Sequence, residues 1–133
     1  MVGKWQLSPY EIKPVKTTID LYQVAGSYDL FTGGVQDCVL EGLMIKLPTG
    51  APGGTLASIS IQTDDATPAV LISSTTGAIG NLLSEACISW TGLTHISVGT
   101  KLQLTIETGP SAASYVCKVT AFYRAITNGG RLT

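Results

Sequence analysis

The sequence is short of charge. Lys, Arg, Asp and Glu make up 13% of its 133 residues, about half of the ~25% usual in a soluble domain. The eight basic residues (Lys4, Lys13, Lys16, Lys46, Lys101, Lys118, Arg124 and Arg131) are scattered along the chain, and the formal net charge is −1. Nucleic-acid binding needs a basic patch or stripe, so nucleic acid is excluded as a partner. Histidine occurs once, at His95, and cysteine at Cys38, Cys87 and Cys117, with no Cys-x-x-Cys pair. An odd cysteine count beside a single histidine argues against both a disulfide framework and a zinc site. All three cysteines sit in apolar or strand-like runs and are expected as buried free thiols of a reducing compartment.

Long apolar runs are missing too. None approaches the roughly 20 residues of a membrane-spanning helix, and the opening MVGKWQLSPYEIKP lacks the apolar core of a secretory signal. Synthesis in the cytoplasm, with no membrane partner, is the expectation. Yet mean hydropathy is +0.31. With lipid set aside, a subunit interface is the economical outlet for the surplus, because buried contact surfaces lose charge and gain apolar area.

A sustained helical period is absent, and period-two alternation takes its place. In KLQLTIET, Leu102, Leu104 and Ile106 share one face and Lys101, Gln103, Thr105 and Glu107 the other, the pattern of a half-buried strand. TLASISIQT (55–63) and SYVCKVTAFYR (114–124) alternate likewise, and CVLEGLMIKL (38–47) is apolar nearly throughout. Further strands are predicted at 15–22, 27–32, 69–73, 86–90 and 93–98, the last two separated by a turn at Thr91-Gly92. GAIGNLLSEA (77–86) reads as a short helix or as a strand plus turn; its two glycines weigh against a long helix. Many short strands between turn signals indicate a single-domain antiparallel β-sandwich of jelly-roll-like type. The domain is expected over 15–126, preceded by an extended N-terminal arm at 1–14 and followed by a frayed tail at 127–133. The loop LPTGAPGG is expected to extend from one end of the sandwich.

Catalytic and ligand-binding patterns are weak. His95 has no nucleophile elbow or comparable signature near it, and the nine acidic residues form no recognisable carboxylate pair. TDDAT (63–67) offers hard oxygens suited to calcium, but Asp and Thr before a proline are ordinary turn chemistry. Trp90 in CISW reads as core. No catalytic residue, cofactor or metal is expected.

Residues 24–34, VAGSYDLFTGG, read as two strands meeting at a tight turn, with Gly26 free to take φ > 0. Alternation turns Tyr28 and Leu30 to the core and Phe31, with Asp29, the other way, towards a neighbour. The arm holds Trp5 and Tyr10 together with Pro9 and Pro14. It either folds back on its own domain or lies on another subunit, and prolines limit the entropy lost on docking. Trp5, Tyr10 and Phe31 are the candidate interface residues.

The run IDLYQVAGSYDLFTGG (19–34) followed by VQDCVLEGLMIKLP (35–48) resembles the opening of small all-β virion proteins of tailed bacteriophages. There a polar strand, an Ala-Gly turn, a Tyr-x-Leu-Phe-Thr strand and a Gly-rich turn precede a long apolar strand. LASISIQTDDATPAVLIS (56–73) and YVCKVTAFYR (115–124) are similar in style to the same proteins. The resemblance implies a structural role. Foremost is a capsid decoration (cement) protein on the virion surface, self-associating as a homo-oligomer, with a trimer favoured, and binding the major capsid protein. A head–tail adaptor or tail component is the alternative within the virion, and a carbohydrate-binding β-sandwich the alternative outside it.

Overall fold

Nine antiparallel strands form two sheets in a computed structural model that describes residues 10–133. They are β1 (Lys13–Asp20), β2 (Gly26–Val35), β3 (Cys38–Lys46), β4 (Ser58–Thr63), β5 (Val70–Ile72), β6 (Cys87–Ile96), β7 (Lys101–Glu107), β8 (Val116–Ala125) and β9 (Gly130–Leu132). One sheet has the order β1-β8-β3-β6 and the other β5-β4-β7-β2-β9. The pairs β1·β8, β2·β7, β3·β6 and β4·β5 are those of one long hairpin of eight strands rolled up on itself. That is the jelly-roll topology, and the expected all-β sandwich is observed.

The core lies between the sheets, where alternation aims it. One sheet contributes Ile19, Leu40, Leu43, Ile45, Cys117 and Val119, the other Ile59, Ile61, Leu102, Leu104 and Ile106, all buried. Leu21, Leu47, Leu56, Leu82 and Tyr115 close it from the connections. The loop at 48–54 does not stand away from the sandwich. Pro52 accepts the Ala112 amide, Gly50 accepts the Tyr115 hydroxyl, and the Gly50 amide donates to Ser84 Oγ.

Four expectations are corrected. Phe31 is a core residue, 2% exposed. A bulge between Asp29 and Phe31 in the β2–β7 register inserts Leu30 as an extra residue, so Leu30 and Phe31 both turn inward and the alternation fails. Thr91-Gly92 is no turn but part of β6, which runs on through an irregularity opposite Leu40–Gly42. The indole of Trp90 lies over Gly92, where an added Cβ would come within 2.7 Å of it. The closing residues TNGGRLT are not frayed: β9 pairs with β2, Leu132 is buried, and Thr133 exchanges backbone hydrogen bonds with Thr32. Cys87 is exposed, whereas Cys38 and Cys117 are buried as expected. The ambiguous segment holds a single 3-10 turn at Ile79–Asn81.

Candidate interaction surface

The sequence singled out several chemical groups, and the fold disperses them. His95 Nε2 lies 3.0 Å from Asp37 Oδ2; the pair tethers the β2–β3 turn to β6 and has no nucleophile hydrogen-bonded to it. Asp64 and Asp65 serve the fold, Asp64 Oδ1 accepting the Lys101 amide at the start of β7 and Asp65 Oδ1 the Thr63 hydroxyl within its own turn. Among the described residues, no three His, Cys, Asp or Glu side chains gather as they would around a metal, and no helix is long and apolar enough to cross a membrane. Trp90 is half-buried against the core, and Tyr115 is buried.

Of the candidate interface residues, Trp5 lies outside the described residues and Phe31 is in the core. Tyr10 is 43% exposed. Its carbonyl accepts a hydrogen bond from Arg124 Nη1 at 3.2 Å, while Arg124 Nε donates to Glu41 Oε2 at 2.6 Å. Glu41 is the extra residue of β3 at its register shift against β8. The bulge thus supplies the carboxylate that holds Arg124, and Arg124 in turn holds the chain ahead of β1.

The outer faces of the two sheets differ sharply. On the five-stranded sheet, β4 presents Ser58, Ser60 and Gln62, and β7 presents Lys101, Gln103 and Thr105. The β7 groups are matched by β2: Ser27 Oγ meets Thr105 Oγ1 at 2.9 Å, Gln103 Nε2 donates to Asp29 Oδ1 at 2.8 Å, and Lys101 Nζ lies 3.1 Å from Asp29 Oδ2. This face is balanced in charge.

The four-stranded sheet is not. Its outer face is a concave trough of about 560 Å³ lined by Lys16, Thr18, Met44, Lys46, Lys118 and Thr120. Register builds it. Lys16 stands opposite Thr120 and Thr120 opposite Met44; in the next row Thr18 stands opposite Lys118 and Lys118 opposite Lys46. Directly opposed side chains on one face lie about 5 Å apart at Cβ, and like charges so placed destabilise the sheet. Lys46 Nζ donates to the Glu85 carbonyl at 2.6 Å, a bond to a neutral oxygen and not an ion pair. The ion pairs of the described residues involve Lys101, Arg124 and His95, and none of the trough lysines. Cys87 stands opposite Lys46 on β6, at the rim. Each lysine is unremarkable in the sequence, where the eight cations look scattered; only the pairing of β1, β8 and β3 brings three of them together.

No family model matches the sequence, and no curated protein matches it significantly. Solved structures do match. One is a chain of the acidic stable capsid structure of Helicobacter pylori bacteriophage KHP30, with a TM-score of 0.61 and 8% identity over 93% of this chain and 94% of that one. Another is a chain of the cyanophage Pam1 capsid asymmetric unit, with a TM-score of 0.58 and 14% identity over 94% of this chain and 96% of that one. The fold is that of chains found in phage capsids. Because both chains of each pair are covered almost entirely, the matched chains have nearly the length of this one.

Proposed function

We propose that this protein is a structural component of a bacteriophage virion, and within it a decoration (cement) protein that self-associates, as a trimer, on the outer surface of the shell and binds the major capsid protein. One observation carries the reading: a jelly roll with no assembled catalytic or metal constellation among its described residues matches, end to end, equally short chains of two phage capsid structures. Shortage of charge and excess apolarity support an assembly role without specifying the assembly. The reading assigns no enzymatic activity and no cofactor.

Reinforcement follows from contact area and number. Each standard contact removes roughly 800 Å² per partner from water. A protein that bridges the joints between coat subunits adds that separation cost at every joint, and linkages engaged together act as a multivalent array. Of the expected arm at 1–14, Lys13 and Pro14 pair with β8 as the start of β1; the residues ahead of them are proposed as an arm on the shell or a neighbouring subunit, with Trp5 and Tyr10 as its aromatic anchors, since aromatic side chains dominate interface energetics.

The copy number per purified virion, measured by quantitative mass spectrometry against the coat protein, tests the reading. A number comparable with the coat protein supports shell-wide decoration. A single ring's worth moves the protein to the neck or tail, and absence from the particle removes it from the virion altogether. For the arm, deletion of residues 2–12 removes Trp5 and Tyr10 and leaves β1 intact; unchanged shell binding and oligomer size after that deletion would discard the arm.

A further inference from the structure

We infer that the lysine trough on the open face of the four-stranded sheet is the docking site for an extended, acidic segment of the coat protein. The assignment of that segment to the coat protein rests on the virion reading above; the chemistry of the trough does not.

Like charges oppose each other in the trough. Lys46 and Lys118 face each other across β3 and β8, Lys16 lies one row away, and none of the three enters an ion pair with a described carboxylate. The same molecule solves the equivalent problem on its other sheet, where Lys101 sits against Asp29. A fold that neutralises a cation on one face and opposes two cations on the other has a charge deficit at that place, and an anionic occupant removes it. The occupant gains twice: it acquires charge-assisted contacts and it cancels a like-charge pair already present in the free protein.

The trough's shape and floor narrow the occupant further. Thr18, Thr120 and Met44 are small or unbranched between the lysines, and the hollow is open. A volume of about 560 Å³ falls in the range of pockets that hold a drug-sized ligand, room for a short stretch of a bound segment. Met44 gives an adaptable apolar surface, so the complementary segment carries carboxylates flanking an apolar side chain. The chain's own opening, MVGKWQLSP, brings Lys4 and no acid, so charge disqualifies it as the occupant. Rim lysines of this kind contribute mainly to encounter rate and specificity, with a marked salt dependence.

The test uses the full chain and a K46T/K118T variant, threonine being a good strand former, with K46R/K118R as the charge-retaining control. Binding is measured to purified undecorated shells, and separately to poly-L-glutamate, with single-stranded oligo(dT) as the competing polyanion. The expected result is that shells and poly-L-glutamate both bind the wild type. The threonine variant then loses about tenfold or more in affinity together with most of the salt dependence, and the arginine variant retains both. The threonine variant's melting temperature is expected not to fall, because a repulsive pair has been removed, so loss of binding is not loss of fold. Cys87, beside Lys46, supplies a second readout: its alkylation slows in the shell-bound state. Unchanged shell binding by the threonine variant overturns the proposal. So does tight oligo(dT) binding without poly-L-glutamate binding, which assigns the trough to nucleic acid. Self-association that the threonine variant loses also overturns it, assigning the trough to a second copy. Lysine-dependent binding of poly-L-glutamate without any binding to shells overturns the coat-protein assignment and the decoration reading, and leaves the trough an acidic-segment site.

Discussion

Asp37 and His95 close the sandwich at one end. Asp37 Oδ2 lies 3.0 Å from His95 Nε2, while its Oδ1 accepts the Val98 amide at 3.2 Å and its backbone carbonyl accepts the Ile126 amide. One short residue in the β2–β3 connection therefore ties down the β6–β7 turn and the end of β8. The two partners are unequal. His95 contributes a half-exposed side-chain hydrogen bond, and exposed polar pairs of this kind are usually worth about 0–1 kcal/mol. Asp37 also satisfies a backbone amide that no strand reaches. Asp37→Ala is expected to cost about 1–3 kcal/mol, and His95→Ala less than about 1 kcal/mol. Urea unfolding of the two variants checks the order; equal losses would show that the amide contact contributes nothing.

Phe31 is expected to behave as a core residue. Phe31→Ala removes a fully buried ring between the sheets and is expected to cost about 3–5 kcal/mol, enough to unfold a domain of ordinary stability at moderate temperature. Tyr10→Ala, at an exposed site, is expected to leave the melting temperature nearly unchanged. A small loss for Phe31→Ala, coupled to a change in oligomer size, would return that ring to the surface.

The three thiols are expected to separate cleanly. Burial pushes the Cys38 thiol up to about 11 and Cys117 to about 12, with the nearby Asp37 and Asp20 charges adding to each respectively. Thiolate is the reactive form. Cys87 alone is exposed. At pH 8 a chromogenic disulfide reagent is expected to titrate one thiol quickly in the native protein and the other two only on unfolding. Cys87→Ser removes the fast phase. Two fast thiols would mean that the sheets open readily.

Acid is expected to weaken the fold through Asp20. Its carboxylate accepts the Ser114 hydroxyl, the Tyr115 amide and the Tyr22 amide, and in that order these hold its pKa below the ordinary aspartate value. A pKa depressed in the folded state means that the unfolded chain takes up the proton first. The stabilisation is fully present above the unfolded value of about 3.9 and is lost as pH falls through the lower, folded one. Asp29, bonded to Gln103 and Lys101, is shifted in the same direction. Asp20→Asn is therefore expected to flatten, without abolishing, the fall in melting temperature below about pH 4. A wild-type profile that stays flat through that range would contradict this account.

How much was legible in advance depended on whether the signal was local. β7 and β8 follow from alternation alone, because a sheet with one wet face imposes period two on the sequence. Phe31 was misplaced for the same reason: a bulge inserts one residue and inverts the facing of everything beyond it, and DLF carries no mark that distinguishes a bulge from regular strand. β9 escaped notice because GRL is short and polar; it is held by Gly33, Gly34 and Val35 of a distant strand. Gly130 is required there, since an added Cβ would lie 2.0 Å from the Asp37 carbonyl oxygen, a contact seen only once the chain has folded back. Thr91-Gly92 carried the composition of a turn, and tertiary pairing with β3 kept it extended.

By itself, then, the sequence determined the class of this protein: all-β, layered, with apolar side chains at alternate positions, and poor in the groups that do chemistry. Those properties are written in neighbours one and two residues apart. The lysine trough is of a different kind. Lys16, Lys46 and Lys118 come from three strands, and a one-residue slip in any pairing would send one of them to the core face. Only the register of β1, β8 and β3 decides that they meet, and register is set by the packing of the whole sandwich.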